Sequence, residues 1–572
     1  MRRFVPFSGA TLAAYVALAV AVFSSAWQHP AGRWVGQDFD PILFIWHLRW
    51  VPFAFAHGHD PLISDYLNYP DGFNLMWNTS ILLPAFLLSP VTLLLGVVVA
   101  YNVLATLALA LSAWCAYFAL RRYVRPGPAA VGGLLYGFSP FMFAQAQNQP
   151  HMTLAVFPPL ALLLLDETLV RQRRSPLLVG ALIGIAAGFQ LVTGEEILAA
   201  TVLVAAIGIA LLALLHRNLI RARTPYALRA LGAAFVVALV IGAVPLGVQL
   251  FGPQHVAASS GPVQSRGTFI LDAAELVVPT RREELTFGAA NDVGAKFKGQ
   301  SEIDGYIGLP LLVLAGFAVV AWRRRPVVQF AAGLAAAVTL LSFGPRLTVA
   351  GRTLPLPLPW VIPQRLPFLE NILPARLTLF LFLLLALLVA VFVDRSRLPP
   401  LAVAATVALA LVPLIPDLPF ASSASTTPRF FEAGARAVPD GSVALVAPLA
   451  GIEGGTTAPM LWQAKADLRF RMPEGYVIHR SGGFTAPQSR LLLFDRIARL
   501  GNGERVPPLT GRQRHDIRCT LQRFDVGTVV VGPMRTGRTR TIAFLRQVLG
   551  HAPATVGGVA YWPSVLRLSR CT

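Results

Sequence analysis

Two aspartates separated by one residue lie in the polar segment that follows the first apolar stretch of the chain. Asp38 and Asp40 occur in GQDFDP, within residues 28–80, a segment with five aspartates in an otherwise apolar and basic chain. A partly desolvated carboxylate can take a proton from a hydroxyl group or hold a metal ion. Because alternate side chains of an extended segment share a face, the pair could also ligate Mg²⁺ or Mn²⁺. The competing interpretation is an N-cap role for one of them.

Two further acidic residues interrupt an apolar stretch. Glu195 and Glu196 lie between apolar residues 175–193 and 197–215, with almost no polar loop around them. Ionisable groups at such positions are expensive to bury and usually face a cavity. They are predicted either to line a substrate cavity or to form a simple turn on the outer side.

The composition of the chain is that of a membrane protein. Its 572 residues are 55% hydrophobic and 13% charged, and the mean hydropathy is +0.60, which is far from the composition of a soluble globular protein. The formal charge of +20 comes mainly from arginines in short clusters between apolar stretches. That pattern follows the positive-inside rule, so it predicts a polytopic membrane protein and no nucleic-acid partner.

Eleven membrane crossings would place every strong arginine cluster on one side. The first crossing follows Arg2 and Arg3, so the N-terminus is predicted to be cytoplasmic in the plasma membrane. Residues 81–96 contain Pro84 and Pro90 and are predicted to lie in the membrane interface. Outer loops are expected at 28–98, 251–305 and 345–376. The expected crossings are 7–27, 99–120, two within 126–165, 175–193, 197–215, 230–250, 306–322, 327–344, 377–393 and 399–416.

Residues 417–572 have the composition of a soluble domain, and eleven crossings would place them outside the cytoplasm. Buried strands are predicted at 442–450 and 526–533 with a final strand at 558–569, and helices at 489–501, 514–524 and 542–550. Strands that alternate with helices indicate a small α/β domain, which is expected to support or recognise an acceptor. Cys519 and Cys571 could form a disulfide there.

Several short motifs follow one another in residues 1–416: GQDFDP, WHLRW, Tyr69-Pro70-Asp71-Gly72, Tyr101-Asn102, RRYVRPG, Phe138-Ser139-Pro140 and the nearby His151. Their order resembles the GT-C superfamily of integral-membrane glycosyltransferases, in particular its uncharacterised bacterial members. The resemblance implies a GT-C-like transmembrane domain in residues 1–416 and a sugar donor linked to polyprenyl phosphate, used on the outer face of the membrane. Gln37 stands between Gly36 and Asp38, where the commoner start is Gly-Asp, so the family's base can match Asp38 or Asp40.

In this family a first-loop carboxylate acts as the base on the acceptor hydroxyl, or positions that hydroxyl while it helps a metal ion. The carrier phosphate also needs cations on the outer side, and Arg376 is the first choice because a guanidinium binds phosphate in a fork geometry. The alternative is an interfacial arginine that reaches the headgroups. His151 could bind the phosphate or tune the base. The remaining candidates are Arg266, Arg346 and Arg365 for phosphate, and Glu302 and Tyr306 for sugar hydroxyls.

The predicted function is transfer of a sugar from a polyprenyl-phosphate carrier to a glycan, lipid or protein acceptor at the outer face of the bilayer. One rival is a transporter or flippase of lipid-linked saccharide, which should show internal repeats with interrupted helices. No such repeat is visible in the sequence. The other rival is a non-catalytic envelope assembly protein, against which the intact Asp38 and Asp40 argue.

Overall fold

Helices, most of them apolar, form more than half of residues 4–257, 261–366 and 369–565, the parts of the chain that the computed structural model describes. Many begin with proline in the first turn, where its missing N–H is not needed. The helices are α1 Phe4–Val22, α2 Ser24–Trp27, α3 Asp40–His57, α4 Leu82–Leu87, α5 Ser89–Leu95, α6 Val97–Leu120, α7 Pro126–Gly137, α8 Pro140–Ala146, α9 Pro150–Thr153, α10 Phe157–Asp166, α11 Pro176–Leu191, α12 Glu195–Leu215, α13 Arg217–Phe251, α14 Gly288–Gly294, α15 Leu309–Ala321, α16 Pro326–Ser342, α17 Thr378–Arg395, α18 Pro400–Leu411, α19 Arg429–Glu432, α20 Ala458–Lys465, α21 Leu492–Gly501, α22 Gly511–Arg523 and α23 Arg538–Leu549.

Strands are few and short. The largest sheet has the order β7-β8-β10-β9, with β7 parallel to β8 and β10 antiparallel to both of its neighbours. The strands are β1 Arg33–Val35, β2 Ile63–Ser64, β3 Phe73–Asn74, β4 Arg346–Val349, β5 Arg352–Pro357, β6 Ser422–Ala424, β7 Val443–Ala447, β8 Val526–Val531, β9 Ala554–Val556 and β10 Val559–Trp562.

Five helical segments are long and apolar enough to cross a membrane: Val97–Leu120, Pro150–Arg171, Glu195–Leu215, Ile220–Phe251 and Pro374–Arg395. Five shorter apolar helices accompany them: Ser8–Val22, Pro176–Leu191, Leu309–Ala321, Pro326–Ser342 and Pro400–Leu414. The chain is therefore a largely helical membrane protein, and the number of crossings stays a prediction. One expected boundary differs, because the span predicted at 230–250 belongs to a helix that begins at Arg217 and continues through three further arginines.

The chain forms two compact units, each built from three separate segments. The first contains Met1–Gln28, Val103–Ala243 and Gln264–Ser422, and the second contains His29–Asn102, Val244–Val263 and Ser423–Thr572. The sequence assigned residues 28–98 to the domain of apolar helices, whereas the structure groups them with the C-terminal residues. The physical reason lies in α3, whose side chains are buried against α20.

In the first unit, the leucine-rich helix α17 forms the core. Almost all of its side chains are buried, and it packs against α7, α15 and α16. Gly132 of α7 permits a close approach, because a Cβ there would lie 2.8 Å from Ala386 O. The core of the second unit combines β7, β8 and β10 with the apolar faces of α21, α22 and α23.

The C-terminal secondary structure agrees with the sequence prediction. Strands β7, β8 and β10 and helices α21, α22 and α23 lie where the pattern placed strands and helices. The predicted last strand ends earlier than expected, at Trp562. Cys571 lies outside the described residues, so its disulfide with Cys519 stays a prediction.

Candidate functional site

Asp40 is the first residue of α3, and the backbone immediately before it is strained. Phe39 has φ 124° and ψ −93°, a conformation that is unfavourable for a residue with a Cβ. Thr457 Oγ1 donates a hydrogen bond to Phe39 O at 3.0 Å, which helps to hold this conformation. Strained residues persist where the surrounding structure fixes them, and they cluster at functional sites. The strain between the two aspartates therefore marks this segment as the candidate site.

The two aspartates have different environments. Asp38 is exposed, and its Oδ2 lies 3.5 Å from Nη2 of Arg535, which is itself 89% exposed. Such a solvated pair contributes little energy. Asp40 is partly buried, lies at the positive end of the α3 dipole and accepts a hydrogen bond from the Tyr476 hydroxyl. The structure therefore favours Asp40 over Asp38 as a positioned base.

Aromatic side chains from the C-terminal part of the chain lie beside Asp40. The Phe39 and Tyr476 rings meet edge to face with 4.7 Å between centroids, and Tyr476 stacks on Phe484 at 4.8 Å. Burial, followed by the charge and hydrogen bond of Asp40, raises the pKa of Tyr476, so this hydroxyl stays a donor. Sequence reasoning missed Tyr476 and Phe484, because GYVIHRSGGF contains no motif that links it to residue 40.

Hydrogen bonds and ion pairs hold α3, and thus Asp40, in place. Trp46 Nε1 donates to Gln463 Oε1 at 2.6 Å, and Arg49 pairs with Asp467 at 3.0 Å. The side chain of Asn102, one residue of the Tyr101-Asn102 motif, accepts from Val35 N and donates to the carbonyls of Pro30 and Arg33. The motif therefore fixes the chain that leads into the aspartates.

A second cluster of ionisable residues is buried in the unit of apolar helices. Arg376 donates to Glu302 through Nε at 2.9 Å and Nη2 at 2.6 Å, and through Nη1 to Glu196. Gln145 Nε2 donates to Glu302 at 2.6 Å and to Asp304 at 3.0 Å. The structure thus brings together three predicted binding residues, Glu196, Glu302 and Arg376. All three nitrogens of the guanidinium are engaged by carboxylates, so it is not a free phosphate fork.

The two acids of this cluster that lie outside the apolar spans differ in protonation. Burial raises the pKa of Glu302, but the charge and hydrogen bonds of Arg376 outweigh it and hold that pKa below its usual value. Burial and the neighbouring Glu302 and Glu275 raise the pKa of Asp304 well above its usual value. The environment therefore favours the charged form of Glu302 and the protonated form of Asp304, and Arg376 is shared by Glu196 and Glu302. Buried ions that are bonded to one another in this way have the character of a structural network.

The other predicted binding residues are dispersed. His151 is buried on α9, and its Cδ2 would lie 3.2 Å from a Cβ at Gly194, next to Glu195 at the start of α12. Arg266 forms an exposed pair with Glu370 at 3.0 Å. Tyr306 is also buried. Arg346 and Arg365 are exposed.

The predicted base and the predicted binding residues belong to different compact units. Asp38 and Asp40 lie in the unit that contains His29–Asn102, whereas the binding candidates lie in the unit of apolar helices. Within the described residues, no group of three His, Cys, Asp or Glu side chains is arranged to hold a metal ion. Two carboxylates alone are a poor fit for Mg²⁺ or Mn²⁺, which need several oxygen ligands, so the metal stays a prediction.

Two solved structures share the fold of this chain. An archaeal oligosaccharyltransferase, AglB from Archaeoglobus fulgidus in complex with an inhibitory peptide and a dolichol-phosphate, matches with a TM-score of 0.50 and 11% identity over 99% of this chain and 75% of that chain. The arabinofuranosyltransferase AftD from Mycobacteria matches with a TM-score of 0.50 and 17% identity over 97% of this chain and 40% of that chain. The GT-C resemblance implied a fold of this kind, and the chain shares its fold with these two membrane proteins.

A third structure, ArnT from Cupriavidus metallidurans in the apo state, matches with a TM-score of 0.46 and 14% identity over 96% of this chain and 97% of that chain.

No curated protein matches the sequence at a significant level. A family model described as "Domain of unknown function (DUF6311)" matches residues 11–415, well over half of the chain. The chain therefore belongs to the DUF6311 family.

Proposed function

We propose that this chain is a membrane glycosyltransferase that moves a sugar from a polyprenyl-phosphate carrier to an acceptor on the outer face of the plasma membrane. The fold shared with an oligosaccharyltransferase and an arabinofuranosyltransferase supports the reaction class. The acceptor is a glycan, a lipid or a protein. A divalent cation, Mg²⁺ or Mn²⁺, remains an optional cofactor in this proposal.

The observation that carries the proposal is the setting of Asp40. Asp40 directly follows Phe39, whose backbone is strained, and it is the first residue of α3. Its carboxylate accepts a hydrogen bond from the hydroxyl of Tyr476. A helix dipole and a hydrogen-bond donor hold a carboxylate in one orientation. The rings of Phe39 and Phe484 pack against Tyr476 and hold its ring beside Asp40.

In the proposed reaction Asp40 removes the proton from an acceptor hydroxyl. The acceptor oxygen forms a bond to the anomeric carbon as the bond from that carbon to the carrier phosphate breaks. The electron pair leaves with the polyprenyl phosphate, and the anomeric configuration inverts. Because a phosphate leaving group has a low pKa, the reaction needs one base and no general acid.

The proposed topology follows from the arginine clusters. The N-terminus is cytoplasmic, eleven segments cross the membrane, and residues 417–572 are extracytoplasmic. Support comes from Arg171 and Arg173 after α10 and from Arg323, Arg324 and Arg325 after α15. Asp40 would then face the side on which lipid-linked sugars are used.

The test compares the wild type with Asp40→Asn and Asp38→Asn in lipid nanodiscs. Transfer is measured from a panel of radiolabelled polyprenyl-phosphate sugars to a membrane extract. Removal of the base should lower transfer by about 10²- to 10⁴-fold in the Asp40→Asn protein. Asp38→Asn is the matched control, because Asp38 is two residues away and solvent-exposed, and it should retain most of the activity.

The two outcomes that contradict the proposal are distinct. Equal loss in both variants would contradict the assignment of Asp40 as the base. Donor binding without transfer in the wild type, together with movement of labelled donor across the bilayer of sealed proteoliposomes, would instead favour a flippase of lipid-linked saccharide.

A further inference from the structure

A long apolar groove follows α12 in the unit of apolar helices. It has a volume of about 730 Å³ and is lined by α10, α12, α16 and α17, in part by Leu162, Val204, Leu212, Phe330 and Leu383. Along α12 and the residue that follows it, the lining extends from Thr201 to His216, a separation of fifteen positions or about 22 Å at the rise of a helix. This length accommodates an acyl chain that spans one leaflet, about 15 Å.

One end of the groove is polar and basic. Arg171, Arg173 and His216 line it, together with Asp166, whose Oδ2 pairs with Arg171 Nε at 2.7 Å. The positive charge of Arg171 thus offsets the negative charge of Asp166. Arg173 is exposed and forms no ion pair among the described residues. The groove mouth, defined here as Asp166, Arg171, Arg173 and His216, therefore has a net positive charge.

An unsatisfied polar atom lies at the same mouth. His216 Nε2 is buried and has no hydrogen-bond partner in the part of the chain that the structure describes. Buried polar atoms in folded proteins nearly always have a hydrogen-bond partner, so an unpaired one is a candidate position for a ligand.

Three further arginines, Arg323 to Arg325, directly precede Pro326, which lines the groove.

The groove mouth is separate from the buried ionic cluster of the same unit. Glu196 lies in the first turn of α12 and His216 directly follows its last residue. Their separation of twenty positions corresponds to about 30 Å of helix, the thickness of the hydrocarbon core. The two polar regions therefore lie near opposite ends of a membrane-spanning helix.

We propose that this groove is a binding site for an anionic diacyl phospholipid. An acyl chain lies along α12 against the apolar lining, and the phosphate lies at the groove mouth, where Arg173 supplies charge and His216 Nε2 supplies a hydrogen bond. The negative charge of an anionic headgroup complements the positive charge of the groove mouth. The acyl chains of a diacyl lipid continue directly from its headgroup, as the apolar lining continues from the groove mouth. The proposal does not depend on the reaction proposed for Asp40.

The experiment uses the full chain, delipidated in a mild detergent and titrated with lipid under native mass spectrometry. Phosphatidylglycerol and phosphatidylcholine with the same acyl chains are compared. The wild type should bind phosphatidylglycerol at least about tenfold more tightly. Arg173→Ala should weaken binding of phosphatidylglycerol about fivefold, the contribution of one arginine near a membrane surface, with little change for phosphatidylcholine. Arg174→Ala is the matched control, because Arg174 is exposed on the same segment but does not line the groove.

A second pair of variants tests the apolar part. Ala205 lines the groove and Ala206, its neighbour on α12, is exposed away from it. Ala205→Phe should weaken binding of both lipids, whereas Ala206→Phe should leave both unchanged. Thermal unfolding of each variant without added lipid shows whether a loss of lipid binding comes from misfolding.

Three results would overturn the proposal. The first is equal affinity of the wild type for the two phospholipids. The second is a loss in Arg174→Ala as large as that in Arg173→Ala. The third is displacement of phosphatidylglycerol by a smaller amount of a polyprenyl phosphate in wild type but not in Ala205→Phe, which would assign the groove to the carrier lipid instead.

Discussion

At the scale of single residues, buried carboxylates differ mainly in whether a partner compensates the loss of water. Glu302 is held ionised by Arg376, whereas the carboxyl oxygens of Glu474 have no hydrogen-bond partner among the described residues. Burial raises the pKa of Glu474 to about 8 from the usual 4.5. The same type of side chain is therefore charged at one site and neutral at the other near pH 7.

The raised pKa of Glu474 predicts a loss of stability as the pH rises. Between about pH 4.5 and 8 the folded state keeps a proton that the unfolded state releases, so the free energy of unfolding should fall by on the order of 4 kcal/mol across this range. Glu474→Gln cannot ionise and should remove this part of the decline in Tm. Glu504→Gln, at an exposed ion pair with Arg499, should follow the wild type. A parallel decline in Glu474→Gln would contradict the prediction.

Arg376 gives the second prediction at this scale. Arg376→Gln would leave Glu196 and Glu302 buried without their common cation, and loss of one member of a buried pair costs about 3–5 kcal/mol. Chemical unfolding in detergent should detect that loss. Arg266→Gln, at the half-exposed pair with Glu370, should cost less than about 1 kcal/mol. Wild-type stability with weakened donor binding in Arg376→Gln would instead support the phosphate-binding role.

At the scale of elements, α11 packs on α13 through three glycines spaced by four residues. A Cβ at Gly184 would lie 2.6 Å from Ala234 O and 2.7 Å from Val237 Cβ, and Cβ atoms at Gly180 and Gly188 would meet Ala230 and Ile241. Small residues in this spacing let apolar helices approach closely in a membrane. Sequence inspection recorded these residues only as part of an apolar span.

Gly184→Ala should therefore destabilise the protein, although alanine normally favours a helix. Overpacking of a close contact costs about 1–3 kcal/mol. Gly232→Ala on α13 is the control, because a Cβ there meets nothing within 4 Å and should be neutral or stabilise by up to about 1 kcal/mol. Thermal unfolding of the two variants in the same detergent measures the difference, and equal Tm values would contradict it.

At the scale of the whole molecule, the chain leaves and re-enters each compact unit. Residues 29–102 join residues 423–572 across more than 300 intervening positions, so the candidate base and its tyrosine partner come together only in the folded chain. The proposed membrane topology also involves all parts of the fold, and it gives a prediction at this scale.

Single cysteines in a cysteine-free background should report the two sides of the membrane. Arg512→Cys on α22 should react with a membrane-impermeant maleimide on intact cells, whereas Arg324→Cys after α15 should react only after permeabilisation. Both positions are exposed in the fold, so accessibility depends on the side of the membrane. Labelling of Arg324→Cys on intact cells would contradict the proposed orientation.

Hydropathy and periodicity were sufficient to predict the membrane class, most apolar helices and the C-terminal strands and helices, because both are local properties of the chain. The sequence also indicated Asp38 and Asp40 as candidate bases, and it indicated Glu196, Glu302 and Arg376 as three separate candidate binding residues. It could not indicate that those three form one ion-pair network, because residues 196 and 376 meet only through packing of distant helices.

Tertiary structure alone decided the distinction between the two aspartates. Asp38 and Asp40 have the same side chain and nearly the same sequence neighbours, but one is solvated and the other lies at the start of α3 with Tyr476 bonded to it. Tyr476 is 436 residues from Asp40 in the sequence, and no local pattern records such a contact. The environment of a carboxylate is set by long-range packing, and that environment determines whether it can act as a base.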